Sequence, residues 1–197
     1  MKPIERSEIL GLADYEQIRD RFRVRVMAEK KRRRVILGPS VSAVFENRDT
    51  ILLQIQEMLR TERITRSGAI DHEIETYNEN LPGTDELSCT AMIEIANSAE
   101  RDEFLRAAVG FEKHIWLVVD GERIQAHEVG PGADDPLQTP AVHYLKFKLP
   151  PTVAAKLRDD AAIRQTRVTL ETDHDAYRAR AELGREIIAE LGEDLRA

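Results

Sequence analysis

The chain has 197 residues, 33% of them charged and 42% hydrophobic, with a formal net charge of -7. That balance excludes a disordered chain, and no apolar run approaches the roughly 20 residues of a membrane-spanning helix. A single cysteine, Cys89, excludes an internal disulfide, and an N-terminus without a long apolar stretch or cleavage site sets the expectation of a soluble, cytoplasmic protein.

Charge is unevenly spread. Residues Arg19 to Arg34 carry nine Lys or Arg against two acids, and removing that +7 from the total leaves -14 for the remainder. Part of the excess acid is concentrated between Glu57 and Glu103, where twelve acids meet four arginines, and this stretch is the expected internal counter-charge for the basic run. Phe22, Val24 and Val26 alternate with arginines in strand fashion, yet Tyr15, Ile18, Phe22 and Val26 recur at helical spacing. The length of the segment, with Asp14 and Gln17 placed as a capping box, favours a helix from about Asp14 to about Lys31, buried along one side.

Two short β-rich pieces follow, "RRVILG" and "VSAVFEN", broken at Gly38-Pro39. Asp49 then caps a helix "TILLQIQEMLRTERI", and a second helix is expected from Asp71 to about Asn80, ended by Leu81-Pro82-Gly83. "LSCTAMIEI" has the make-up of a strand, and "SAERDEFLRAAVGF" that of a helix capped by Ser98. The clearest local signal is "HIWLVVDGERIQAHEV", where Asp120-Gly121 is a type I′ hairpin dipeptide between two strand-forming runs. After the loop "GPGADDPLQTP" come a strand "AVHYLKFKL", a short helix "PTVAAKLRDD", a strand "TRVTLET" and a terminal helix "DAYRARAELGREIIAELGEDL", weakened at Gly184.

Strands and helices do not alternate in βαβ units. The expected fold is therefore α+β, an antiparallel or mixed sheet flanked by helices in a single domain. Within it, residues 1–83 form a helical and β segment, 84–172 a sheet-rich segment and 173–193 a C-terminal helix.

No Walker loop, GxGxxG, GxSxG, HExxH or CxxC pair is present, which argues against the common nucleotide-binding, serine-hydrolase and zinc-ribbon enzymes. Candidate chemistry rests on scattered side chains. Glu62 falls inside the apolar arc of Ile51, Leu52, Ile55, Met58 and Leu59, where an acid must pair, protonate or bind a cation. His72, Glu75 and Glu79 form one row on the next helix. They suit a weak divalent-metal site or a solvated face, because Ile70, Ile74, Tyr77 and Leu81 form the apolar stripe opposite. His143 shares a strand face with Leu145, Phe147 and Leu149. In "TDHDAY", Asp173, His174 and Asp175 offer metal ligands or caps for the last helix. Cys89 and Trp116 are expected in the core. A pocket combining Glu62, His143 and Tyr77 with Arg60, Arg63, His72 and Asn78 is the enzymatic alternative. No other cofactor is evident.

Against this background the chain resembles, nearly end to end, the bacterial family known as domain of unknown function 3501. The stretches that carry the likeness are "ERSEIL", "VILGPSVSAVFENRDTILLQIQEMLRTERI", "HEIETYNENLPG", "ELSCTAMIEI", "HYLKFKL" and "VTLETDHDAYRA", in this order and spacing. The resemblance transfers no catalytic residues. It implies a genomic neighbourhood with a rubrerythrin and an iron–sulfur oxidoreductase, hence an accessory role in redox or peroxide defence. The chain has neither a cysteine cluster nor paired Glu-x-x-His helices, so the redox centres would belong to the partners.

The first expectation is thus an accessory or interaction protein, with Lys30, Lys31, Arg32, Arg33 and Arg34 as an exposed docking patch. Nucleic acid is disfavoured because exposed interleaved aromatics are missing from the basic run. No membrane partner is expected, and a homo-oligomer stays open.

Overall fold

The computed structural model describes residues 1–130 and 135–197. Among them are six helices: α1 (Leu12–Arg32), α2 (Arg48–Thr61), α3 (Ser67–Asn78), α4 (Ser98–Ala107), α5 (Pro151–Arg158) and α6 (Arg185–Arg196). The strands are β1 (Arg34–Leu37), β2 (Val41–Glu46), β3 (Glu86–Ile93), β4 (Ile115–Val119), β5 (Glu122–Glu128), β6 (Val142–Lys148), β7 (Val168–His174) and β8 (Tyr177–Glu182). They form one antiparallel sheet in the order β1-β2-β3-β6-β5-β4-β7-β8. The fold is α+β, as the sequence indicates, and the sheet curls until it is nearly a barrel.

Period-two alternation places Val35, Phe45, Cys89, Leu117, Leu145 and Phe147 in one interior core. Helices α5 and α6 complete that core with Leu157, Ile188 and Leu191. The two edge strands meet through Tyr177 of β8. Its hydroxyl donates to the Leu37 carbonyl at 2.6 Å and accepts from the Ser40 amide at 3.1 Å. Gly38 allows this approach: its φ is +73°, and a Cβ there would stand 2.5 Å from the Tyr177 hydroxyl. A single tyrosine therefore supplies polar contact where edge strands would otherwise lie open.

Outside the barrel, α2, α3 and the N-terminal segment enclose a second core that includes Ile4, Ile55, Leu59 and Ile74. Two side-chain amides hold the N-terminal segment as a neighbouring strand would. Asn78 accepts from the Ile4 amide at 2.9 Å and donates to its carbonyl at 3.0 Å. Gln56 does the same for Leu10, at 2.8 and 3.3 Å.

Several expectations need correction. Only the second half of the expected terminal helix is helical; Tyr177–Glu182 is strand β8, and the chain turns into α6 at Gly184. The alternation Tyr-Arg-Ala-Arg-Ala-Glu is the reason, since it gives β8 one half-buried and one exposed side. Asp173 and His174 consequently end β7 rather than cap a helix. The α2 cap is Asn47, which exchanges hydrogen bonds with Thr50, and Asp49 pairs with Arg25 instead. Helix α4 is capped by Asn97, not Ser98, and α3 begins at Ser67, ahead of the expected Asp71. Of the α1 stripe, Tyr15 and Val26 are buried, whereas Ile18 is exposed and Phe22 half-buried. Trp116 lies on the outer side of β4, half-buried. Residues 131–134 of the expected loop lie outside the described residues.

The basic run has a different counter-charge from the one expected. Arg33, 2% exposed, sends its guanidinium to Asp194 at 2.6 and 3.0 Å and to Glu190 at 2.8 Å, both on α6. Glu29 approaches from α1 at 3.5 Å. Burial opposes the charge on Arg33, but the Asp194 hydrogen bonds and the surrounding carboxylates outweigh it and hold the group protonated. Only Glu57, paired with Arg19, and Glu94, paired with Arg34, come from the acidic 57–103 stretch. Removing the guanidinium would leave the buried Asp194 carboxylate without a partner. Arg33→Ala is expected to lower unfolding free energy by about 3 kcal/mol or more; a loss below about 1 kcal/mol in urea titration would show that α6 docks without this contact.

Candidate functional site

The interior of a barrel made from alternating strands is apolar, so each buried polar group in it needs a partner. Two histidines occupy such positions. His174 is satisfied by backbone alone: one ring nitrogen faces the Val109 carbonyl at 3.1 Å and the other accepts from the Ala176 amide at 3.1 Å. A carbonyl only accepts and an amide N–H only donates, which sets the neutral Nε2–H tautomer and gives His174 a structural role.

His143 is different. It is fully buried in β6, beside Phe111, with ring centroids 5.9 Å apart. Its Nε2 meets the Thr139 hydroxyl at 3.1 Å, and its Nδ1 meets Glu128 at 3.0 Å. Thr139 is itself buried and anchored by its amide to the Leu105 carbonyl at 2.9 Å. Glu112, from the 3-10 turn Phe111–His114 that enters β4, brings a second carboxylate. One ligand atom from each of Glu112, Glu128 and His143 lies within 4.8 Å of the others. Antiparallel order explains the meeting: β5 ends, β6 begins and β4 is entered at the same end of the barrel.

Both glutamates are largely buried, with side-chain exposures of 16% and 21%. The ion-pair partner of Glu112 is the adjacent Lys113, whose exposed ammonium stands 3.8 Å away. Two carboxylates and one imidazole in a shielded corner form an oxygen-rich donor set that favours a cation.

A second cluster lies on the outer surface. Asp173 accepts from Arg123 at 2.8 Å and from the Trp116 indole at 3.1 Å, and lies 2.9 Å from His114 Nδ1. Arg123 stacks over Trp116 at 4.1 Å. The Arg123 hydrogen bond, with those of His114 and Trp116, holds the Asp173 carboxyl well below the usual range. All three donors converge on Asp173, which is the mark of a surface clasp.

The other sequence candidates are dispersed. Glu62 is exposed at the C-terminus of α2, because the helix stops at Thr61 and Arg63 turns the chain at φ 53°. Arg60 pairs with Glu16, and Arg63 is exposed. His72, Glu75 and Glu79 all face solvent. Tyr77 packs at the rim of the second core, where burial pushes its hydroxyl up to about 12, and Asn78 is the backbone clamp for Ile4. The pocket expected from Glu62, Tyr77 and His143 is therefore not assembled. Of the basic patch, Arg33 is buried, Lys30 is half-buried near Glu46, and Arg32 pairs with Glu190; Lys31 and Arg34 are exposed. Sequence reasoning missed Glu112 and Glu128. Glu128 ends the strand that pairs with His143's own strand, a placement that needs the pairing register.

A family model described as "Protein of unknown function (DUF3501)" matches residues 3–195. The chain belongs to this family. Among solved structures it is similar to a protein of unknown function from Burkholderia pseudomallei K96243. The two share 31% identity at a TM-score of 0.90, covering 98% of this chain and 100% of that one. No curated protein matches. Among the described residues no helix is long and apolar enough to cross a membrane.

Cys89, the family member's one cysteine, is fully enclosed. Burial, reinforced by the charge of Glu46, pushes its thiol far above the ordinary range. The native protein is expected to leave a thiol reagent such as dithionitrobenzoate unreacted for hours, with one thiol released in denaturant; prompt reaction of the folded protein would contradict this burial.

Proposed function

We propose that this family member binds a divalent metal ion through His143, Glu128 and Glu112. The observation that carries the reading is a fully buried imidazole whose Nδ1 faces the shielded Glu128, with Glu112 in the same cluster, while Nε2 is held by a buried hydroxyl. Metal-binding histidines are typically oriented by a partner on the far ring nitrogen. Thr139 fills that role in either tautomer. With Nδ1–H donating to Glu128, its hydroxyl donates to Nε2. With a metal on Nδ1, the ring carries its proton on Nε2 and the same hydroxyl accepts it. The heavy atoms can stay in place through the exchange. Two carboxylates with one imidazole suit Mn²⁺, Fe²⁺ or Zn²⁺ better than a soft ion.

Titration calorimetry with Mn²⁺ and Zn²⁺, after stripping with chelator, tests the reading. One ion per chain is expected, weakened at least about tenfold by Glu112→Gln and by Glu128→Gln. Those two variants leave the apolar core intact, whereas His143→Ala opens a cavity in it. Stoichiometric binding undiminished in both glutamine variants, or no binding by the wild type, would remove the proposal.

The accessory role implied by the family likeness rests on a separate observation. Helix α1 exposes Ile18, Val24 and Met27 together with Arg21, Arg23 and Lys31, and these three cations make no ion pair among the described residues. A mixed basic and apolar face suits an acidic protein partner, here a redox protein of the rubrerythrin or iron–sulfur oxidoreductase kind. Such a partner is expected to co-purify at low salt, to dissociate at high salt, and to be lost on Arg21→Glu/Arg23→Glu. Recovery of the chain alone at both salts would discard this second reading.

A further inference from the structure

A different cavity lies on the opposite, outer side of the sheet. It measures about 550 Å³ and opens between α1, α2 and strands β1 to β3. Glu46 is part of its lining and is 2% exposed. Its Oε1 accepts from the Thr90 hydroxyl at 2.7 Å, and the Lys30 ammonium stands 3.7 Å from that same oxygen, beyond hydrogen-bond range. Oε2 is buried with no hydrogen-bond partner among the described residues.

A buried carboxylate oxygen left without a donor is costly, and each such group in a folded protein asks for a cause. Glu46 sits in a strand whose six residues are all buried, so it cannot swing out to water. A donor for Oε2 can reach it through the cavity, which Glu46 and Lys30 both line. Met27, Val44 and Met92 supply apolar wall, the two methionines being side chains that adapt to varied shapes. Lys31, also in the lining, carries a charge unpaired among the described residues, and Arg34 is held by Ser42 at 2.9 Å and Glu94 at 3.1 Å. Acid, apolar wall and base thus lie within a single cavity.

We infer that this cavity binds a small linear zwitterion, with an amine donating to Glu46, an apolar body against Met27, Val44 and Met92, and an anionic group at Lys31 and Arg34. The inference is independent of the metal reading, since Glu46 and Val44 point to the outer side of the sheet while His143 lines the interior.

The direct test titrates the purified full chain, by ligand-observed NMR and calorimetry, with aminobutyrate, aminopentanoate, aminohexanoate and aminooctanoate carrying terminal amines. The matching unsubstituted carboxylates serve as controls. At least one amino acid of the series should bind one per chain, about tenfold or more tighter than its control. That preference should vanish in Glu46→Gln, and affinity should fall in Lys31→Ala, whose exposed side chain is not needed for folding. Equal binding of amine and control, absence of binding across the series, or wild-type affinity in Lys31→Ala would overturn the proposal. Should Glu46→Gln fail to fold, the amine-against-control comparison and Lys31→Ala still decide it.

Discussion

The buried guanidinium of Arg33 is the contact on which the arrangement turns. It sits where α1 gives way to β1, and it reaches Asp194 across 161 residues of sequence. Three carboxylates, Asp194, Glu190 and Glu29, converge on it. Helix α6 is thereby held over the barrel interior, where Ile188, Leu191 and Leu195 complete the core. A buried ion pair adds little net stability over an apolar one, but its geometry tolerates few alternatives. Its consequence is positional: α6 cannot rotate without stranding a charge.

Closure of the sheet follows the same logic of satisfied polar groups. Eight antiparallel strands bring their first and last members together, and Tyr177 spans the seam to Leu37 and Ser40. The interior that results is largely apolar, so its two histidines are constrained by chemistry. His174 is neutralised by backbone and is spent on structure. His143 is left facing carboxylates, and that difference separates a structural imidazole from the proposed ligand. On the outer side, Glu46 is an acid whose second oxygen has no hydrogen-bond partner among the described residues. Both proposed sites are thus places where carboxylates are shielded inside the fold.

How much of this was legible depended on the range of the interaction. His143 was recognisable as inward-facing because its neighbours Leu145 and Phe147 alternate with polar residues along one strand. Glu62 misled because helical periodicity was extended one residue past the point where Arg63 ends the helix. Glu112 and Glu128 carry no local signal: one sits in a short turn and the other closes a strand of alternating polarity. Their meeting with His143 depends on β5, β6 and the entry to β4 sharing one end of the barrel. Glu46 reads as an ordinary strand-terminal acid until α1 and α2 cover it.

The sequence by itself determined the α+β class, most of the strands, the hairpin at Asp120-Gly121, the basic helix and the family, because periodicity, turn residues and order along the chain are local properties. It did not determine that Tyr177 to Glu182 is a strand, since alternation and helix-forming composition compete there and only pairing with β7 settles the outcome. Nor did it determine the partner of the basic run. Coulombic attraction alone would have matched Arg33 to any nearby acid; the packing of α6 against the barrel placed Asp194 and Glu190 beside it. Which carboxylates gather, and which partners they meet, is a matter of three-dimensional neighbourhood, and it is Glu112, Glu128 and Glu46 that mark the proposed sites.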